Sequence, residues 1–342
     1  MIVVYNKDLT IYHDIASAIS IQMVEYYNDI GKATLVLPID DYNIGIVENG
    51  GIVYDTERDV SFVIVNHKYD TTQNTLTVNC YTSNSLLNKR AIVGTHTVSN
   101  IESDVLKIVS ENLRGLPSVE LQGATGFTDE TSIAVENGQV LDQIMPILDI
   151  AEIGNRMVWN PDSRTHIFQL YKGRNLTSGI HAVTFSDIQG TARNLVISDD
   201  ESIFKNVIYI PGELSDGTQI VVEVGTAESG NRFERWYGGS NKQENDETED
   251  DFRARLNAVG QEEIARLISR LTFSVDIDPS DYGASYKIGD IVSCVSDRFG
   301  IALTSRISGV KYVLDRNSEQ INLILGKPVL TALSEVMYNG RY

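Results

Sequence analysis

GIVYDTERDVSFVIVNHKYDTTQNTLTVNC, residues 51–80, and GDIVSCVSDRFGIALTSRISGVKYVLDRNSEQINLILG, residues 289–326, are two versions of one pattern. In each, a Gly leads into an Ile-Val strand start (Ile52 and Val53; Ile291 and Val292), followed by a second apolar strand (Phe62 to Val65; Ile301 to Ile307). A Lys-Tyr pair comes next (Lys68 and Tyr69; Lys311 and Tyr312), then a polar turn, then a closing strand of alternating apolar residues (Leu76, Val78, Cys80; Ile321, Leu323, Leu325). Period-two alternation bounded by turn residues is the signature of strands. The chain is therefore expected to carry two related small β domains, although meanders of similar composition also resemble one another without being copies. Two equivalent units per subunit let a trimer present six similar faces.

Working outward, 342 residues exceed one ordinary core and predict several domains. Hydrophobic content of 42% with 22% charged residues is that of a folded protein rather than a disordered one. The 28 basic against 47 acidic residues leave a net charge of −19, which argues against charge-driven binding to phosphate backbones or anionic membrane surfaces. Acidic character still permits DNA to pass nearby without sticking. The N-terminal MIVVYNKDLT lacks an export signal, and no apolar run is long enough for a membrane span. Cys80 and Cys294 lie in alternating apolar strands and read as small buried hydrophobes of a reducing cytoplasm, a bridge between them being possible but unsupported.

Residues 1–90 form the first β domain, with strands at Ile2 to Tyr5, Ala18 to Tyr26 and Lys32 to Leu37 ahead of the repeat, and turns at Asn28 to Gly31 and Pro38 to Tyr42. Residues 91–185 read as a small α/β domain. Ser99 and Glu102 make a capping-box pattern before the apolar face Ile101, Val105, Ile108, Val109 and Leu113. A second helix, from Val140 to Ile150, carries Pro146, which is expected to bend it. RMVWN and THIFQLYKG flank the turn Asn160-Pro161-Asp162-Ser163, a hairpin signal.

Residues 186–224 with 272–330 form the second, split β domain, which includes the hairpin of NVIYI and TQIVVEV about Ser215-Asp216-Gly217. Residues 225–271 are an insertion: a Gly-rich, acidic loop, exposed or mobile, and then a helix opened by a Thr248/Asp251 capping box, with Phe252, Leu256, Val259, Ile264, Leu267, Ile268 and Leu271 apolar. Residues 331–342 are a C-terminal tail, readable as a short helix. The fold class is thus a β-rich α+β multidomain chain, with two related small β-barrel-like domains, a small α/β domain and an inserted helical and loop segment.

Candidate sites are few. The acidic run Glu244, Asp246, Glu247, Glu249, Asp250 and Asp251 lacks the ligand spacing of a Ca²⁺ loop, and its later members sit where a helix N-terminus favours negative charge. His13, His67, His96, His166 and His181 show no metal-ligand spacing. Nucleophile elbows and phosphate-binding Gly loops are absent. Arg232, Phe233, Arg235, Trp236 and Tyr237 mix basic and aromatic groups that suit a protein contact, a sugar-stacking platform or ordinary loop packing. The reading is of a non-enzymatic protein with no catalytic, cofactor or metal residues. A peptidoglycan hydrolase whose acids or histidines meet only in the fold, or a carbohydrate-binding receptor module using Trp236 and Tyr237, are the alternatives.

The succession of a β domain closing in Leu-Leu-Asn-Lys-Arg (residues 86–90), a small α/β domain, and a second β domain carrying YKIGDIVSC resembles the tail-hub proteins of long-tailed bacteriophages and prophages over residues 1–330. In that family the hub is the N-terminal part of the tail-associated lysin, or prophage endopeptidase tail protein. The resemblance implies a homotrimer in which the two β domains alternate around a ring of pseudo-six-fold symmetry. That ring would meet a hexameric tail-tube or distal tail protein on one side and a tail-tip fibre or lysin on the other, with DNA passing through. It also implies a virion tail component assembled in the bacterial host cytoplasm. Ending at Tyr342, soon after the second repeat, the chain is expected to lack the separate hydrolase domain of longer members.

Overall fold

The computed structural model describes residues 1–326 apart from positions 16, 117, 228, 268, 269, 316 and 317. The expected tail 331–342, the end of the second repeat at Lys327 and Pro328, and the helix position Ile268 lie outside the described residues. Two compact units emerge, one of Met1–Val196 with Phe273–Gly326 and one of Ile197–Thr272.

Most of the first unit is a thirteen-stranded sheet, two of whose strands, Arg193–Asp200 and Arg270–Ile277, also include residues of the second. Its strand order is Arg193–Asp200, Arg270–Ile277, Glu319–Gly326, Ile301–Asp315, Ser20–Tyr26, Lys32–Pro38, Thr75–Thr82, Val60–Asp70, Ile52–Asp55, Ile2–Tyr5 and Tyr12–Asp14. Ile291–Ser296 branches off Ile301–Asp315 and pairs in turn with Thr184–Ser186. Alternation dictates the burial: Ala33, Leu35 and Leu37, and likewise Leu76, Val78 and Cys80, are at most 2% exposed, while the residues between them reach the other face.

The two expected barrels are not closed barrels. Both meanders belong to this one sheet, whose path has two free ends. The physical reason is that the far half of Ile301–Asp315 pairs along Gly309–Asp315 with Ser20–Tyr26, so the second meander continues into the first instead of curling back on itself.

The meanders themselves match in register. Ile52 opposes Val63 and Ile291 opposes Arg306 in their first hairpins. In the second hairpins the ladder steps past one residue at the same place, Val65 between Ile64 and Asn66, and Ser308 between Ile307 and Gly309. Leading each meander is a glycine of positive φ, Gly50 at 92° and Gly289 at 94°. Each donates its N–H to the carbonyl before the bulge (Gly50 to Ile64 and Gly289 to Ile307, both 2.8 Å), and each following carbonyl accepts from that same residue (Ile64 to Gly51 and Ile307 to Asp290, both 2.8 Å). The Lys-Tyr pairs then occupy the same rungs: Tyr69 opposes Leu76 and Tyr312 opposes Ile321.

The same unit holds helices Ile101–Asn112 and Val140–Ile150 and the hairpin Gly154–Asn160 with Thr165–Tyr171. Their apolar faces meet in one core containing Val105, Ile108, Leu141, Ile144, Leu148 and Phe168. Asn160 Oδ1 closes the hairpin turn by accepting from the N–H groups of Asp162 (3.0 Å) and Ser163 (3.2 Å). The first helix is capped one residue later than the Ser99/Glu102 pattern predicts: Asn100 Oδ1 accepts from Ser103 N–H, and Asp104 reaches back to the N–H groups of Ser99 and Asn100. Glu102 is thereby free for another task. The second helix runs on through Pro146. A helix at Asp41–Ile46, capped by Asp40, occupies a stretch where a turn was expected at Pro38 to Tyr42.

In the second unit Val207–Glu213 and Gln219–Gly225 form the expected hairpin, joined by Glu234–Trp236 parallel to the first strand. That strand lies inside the segment expected to be loop. Helix Glu249–Arg266, capped by Thr248 as predicted, packs Phe252 and Leu256 onto Ile208, Ile210, Ile220 and Val224. It ends before Leu267, and Leu271 belongs to strand Arg270–Ile277, so the predicted helical run overshoots by one turn.

Candidate assembly surface

The joint that carries the second meander onto Ser20–Tyr26 is closely packed. Tyr312, 1% exposed, opposes Met23, 0% exposed, where Gly309–Asp315 pairs with Ser20–Tyr26. Arg58, in the turn of the first meander, crosses to the second: it donates to Asp55 (2.5 Å) and to Glu319, and its guanidinium lies 5.0 Å from the Tyr312 ring centroid. Asp55 is fully buried, so the pair is a desolvated ion pair with a definite geometry. Tyr282 meets the Tyr312 ring edge-on at 5.9 Å. Glu25, on the same pairing strand, has its carboxyl pushed up to about 7, first by burial and then by Asp59, with Arg156 opposing.

The second meander has a further anchor. Asp290, buried at 0% exposure, accepts from Arg174 N–H (2.7 Å), Arg174 Nη2 (2.6 Å) and Lys287 N–H (3.0 Å). This fixes Asn175 in parallel pairing with Ile291. Glu102, released from capping, is 2% exposed and accepts from Thr125 N–H (2.5 Å) and Oγ1 (2.6 Å), Gly126 N–H (2.8 Å) and Phe127 N–H (2.8 Å). Burial opposes its ionisation, yet these bonds outweigh it and hold the carboxyl below the usual range. Neither role was evident in the sequence, because the partners are far away along the chain.

The residues singled out by type are dispersed. Glu247 pairs with Arg255 (2.8 Å), Glu249 with Arg253 (2.7 Å), and Thr248 with Asp251, so the acidic run initiates its helix. Glu244, Asp246 and Glu247 line a depression of about 310 Å³ that Arg255 also borders. Among the described residues no group of His, Cys, Asp and Glu is arranged to hold a metal ion. His13 packs edge-on against Tyr42 and His67 against Tyr69. His96 lies 3.9 Å from Glu111, and His181 is exposed. His166, 2% exposed beside Trp159, is held neutral by burial, its pKa lowered to about 4. Both cysteines are buried free thiols, Cys294 pushed up to about 12 by burial.

In the aromatic loop, Arg232 is neutralised by Glu223 (2.7 Å) and Glu234 and donates to Tyr209 Oη. Phe233 meets Phe204 edge-on at 5.4 Å. Arg235 opposes Ile208 in the parallel strand pair. Trp236, 59% exposed, lies over Tyr209 at 6.4 Å. Tyr237, partly buried, packs against the core of the second unit. Among the described residues no helix is long and apolar enough to cross a membrane.

The family model of siphovirus ReqiPepy6 Gp37-like proteins matches residues 1–327. No curated protein matches by sequence. Three solved structures share the fold along nearly the whole chain. A tail protein from Neisseria meningitidis MC58 superposes with a TM-score of 0.59 at 13% identity, covering 95% of this chain and 96% of its own. The prophage MuSo2 43 kDa tail protein from Shewanella oneidensis gives 0.58 at 11%, covering 95% and 97%. Prophage tail protein gp18 from Listeria monocytogenes EGD-e gives 0.52 at 16%, covering 99% and 98%. At such identities the likeness is one of fold.

Proposed function

Since the chain belongs to the siphovirus ReqiPepy6 Gp37-like family, we propose that it is the structural hub of a phage or prophage tail. It acts as a homotrimer whose two meander units alternate around a ring, a three-fold object with six similar faces. One side seats on a hexameric tail-tube or distal tail protein, the other carries a tail-tip fibre or lysin, and DNA passes through the middle. The subunits are made in the host cytoplasm and remain in the virion tail.

One observation carries this reading: the two meanders share strand order, register, bulge position and leading glycine, and the second pairs with Ser20–Tyr26, which leads through Lys32–Pro38 to the first. A chain whose second meander already pairs with the strands leading into the first needs only repetition of that joint to make a ring. The net charge of −19 supports the channel role, because acidic walls repel a passing polyanion. Light scattering coupled to size-exclusion chromatography tests the reading. Three times the mass of one chain is expected, and a stable monomer at micromolar concentration overturns it.

A further inference from the structure

The joint seen once within the chain has a second, unfilled counterpart. In the first meander Asn66–Asp70 takes the place that Gly309–Val313 takes in the second, as the shared bulge and Lys-Tyr rungs establish. Gly309–Val313 pairs on both edges, whereas among the described residues Asn66–Asp70 pairs only with Thr75–Thr82. Tyr69 is left 42% exposed, against 1% for Tyr312.

A strand matching Ser20–Tyr26 in the sheet order lies next to the second meander. Ser20–Tyr26, which fills the joint, is the neighbour of Lys32–Pro38, itself the neighbour of the closing strand of the first meander. In the second meander that place in the order belongs to Arg193–Asp200, next to Arg270–Ile277 and then Glu319–Gly326. Side chains and buried alternation together set the register: Asn322 accepts from Ser274 Oγ (2.6 Å) and donates to Asp276 Oδ1 (2.9 Å), Asn194 Nδ2 donates to Asp276 Oδ2 (2.7 Å), and placing Asn322 opposite Asp276 sets Ile321 against Ile277 and Leu323 against Val275, all buried, as Leu76 lies against Leu37 and Val78 against Leu35. The matching row of the first meander is Thr77, Val36 and Ser20. Asn194 thus stands for Ser20, Val196 for Gln22 and Ile197 for Met23.

Among the described residues Arg193–Asp200 ends the sheet with its outer edge unpaired, and Val196 is 60% exposed. Two free edges bearing exposed apolar side chains are what a folded chain normally covers. Six strands of the sheet lie between them in its order.

We infer, resting on the ring reading above, that Asn66–Asp70 of one copy pairs antiparallel with Arg193–Asp200 of the next, with Tyr69 opposite Ile197, Lys68 opposite Ser198 and Asp70 opposite Val196. The contact is head-to-tail and repeats the in-chain joint, where Tyr312 opposes Met23 and Lys311 opposes Val24. Three copies then hold six joints of one kind.

The test is a cysteine pair across the predicted rung. Directly opposed residues bring Cα atoms to about 4.5–5.5 Å, within disulfide reach, while partners displaced by two lie about 7 Å or more apart. The double variant Tyr69→Cys with Ile197→Cys, oxidised with diamide and run on a non-reducing denaturing gel, is expected to give covalent dimers and trimers. The variant Lys68→Cys with Ser198→Cys gives an independent rung. Tyr69→Cys with Leu195→Cys is expected to cross-link at least ~10-fold less, being off register. A protein that elutes as a trimer yet cross-links through neither in-register pair overturns this edge pairing and leaves the trimer standing. A ladder extending beyond trimers supports the pairing and overturns the three-fold ring. A monomer without cross-links overturns both.

Discussion

The matched glycines allow a substitution to be tested against its own internal control. Gly50 and Gly289 have φ values of 92° and 94° and make the same pair of backbone hydrogen bonds, so an alanine at either suffers the same backbone strain, about 1–2 kcal/mol. Their surroundings differ. A Cβ on Gly50 meets only the Lys7 side chain, at 3.4 Å, which swings aside. A Cβ on Gly289 falls 2.5 Å from Tyr27 Cε2, and that ring is pinned, its hydroxyl donating to the carbonyls of Glu152 (2.9 Å) and Tyr171 (3.0 Å) with Arg306 packed 4.9 Å from its centroid. Overpacking of this kind adds ~1–3 kcal/mol. Gly50→Ala is therefore expected to lose about 1–2 kcal/mol and Gly289→Ala about 2–5 kcal/mol. Urea unfolding followed by Trp159, buried at 1% exposure, in a Trp236→Phe background reads the difference. Equal losses refute the packing argument, and a neutral Gly50→Ala refutes the claimed equivalence of the two turns.

Three further outcomes follow from the same contacts. Glu25, whose folded pKa of about 7 exceeds its ordinary 4.5, favours the folded state on the acid side. Stability is therefore expected to fall as pH rises from about 4.5 to 7, by roughly 2–3 kcal/mol, and Glu25→Gln should flatten that slope in thermal melts at pH 5 and 8; an unchanged slope contradicts the assignment. Glu102→Ala strands the buried donors of Thr125, Gly126 and Phe127 and should destabilise by about 2–4 kcal/mol, with new protease cleavage within residues 122–129; intact resistance contradicts the role. Phe252→Ala empties the contact between helix Glu249–Arg266 and its hairpin, costing about 3–5 kcal/mol, seen as an earlier change in Trp236 fluorescence; an unshifted transition contradicts it.

What the sequence disclosed was local. Leu76, Val78 and Cys80 against Ile321, Leu323 and Leu325 marked the closing strands because alternation is written in neighbouring residues, and each set is buried as that pattern requires. Thr248 capped its helix for the same reason. Contacts across long separations were invisible: the pairing of Ser20–Tyr26 with Gly309–Asp315, the Asp290 anchor and the Glu102 clamp leave no periodic trace. Competing local signals misled elsewhere. Asp40 and Asp41 after Pro38 suited a turn, but Asp40 caps a short helix, and the apolar spacing continuing to Leu271 concealed the switch from helix to strand. Trp236 and Tyr237 are adjacent and alike, yet Trp236 is exposed while Tyr237 is partly buried against the core of the second unit. The free edges could be recognised only once strand order was known.

An electron cryomicroscopy reconstruction of the purified protein, computed without imposed symmetry, bears most directly on the hub assignment. It should show a three-fold ring in which six meander units alternate between the two kinds. A ring with another number of subunits, or isolated monomers, would contradict it.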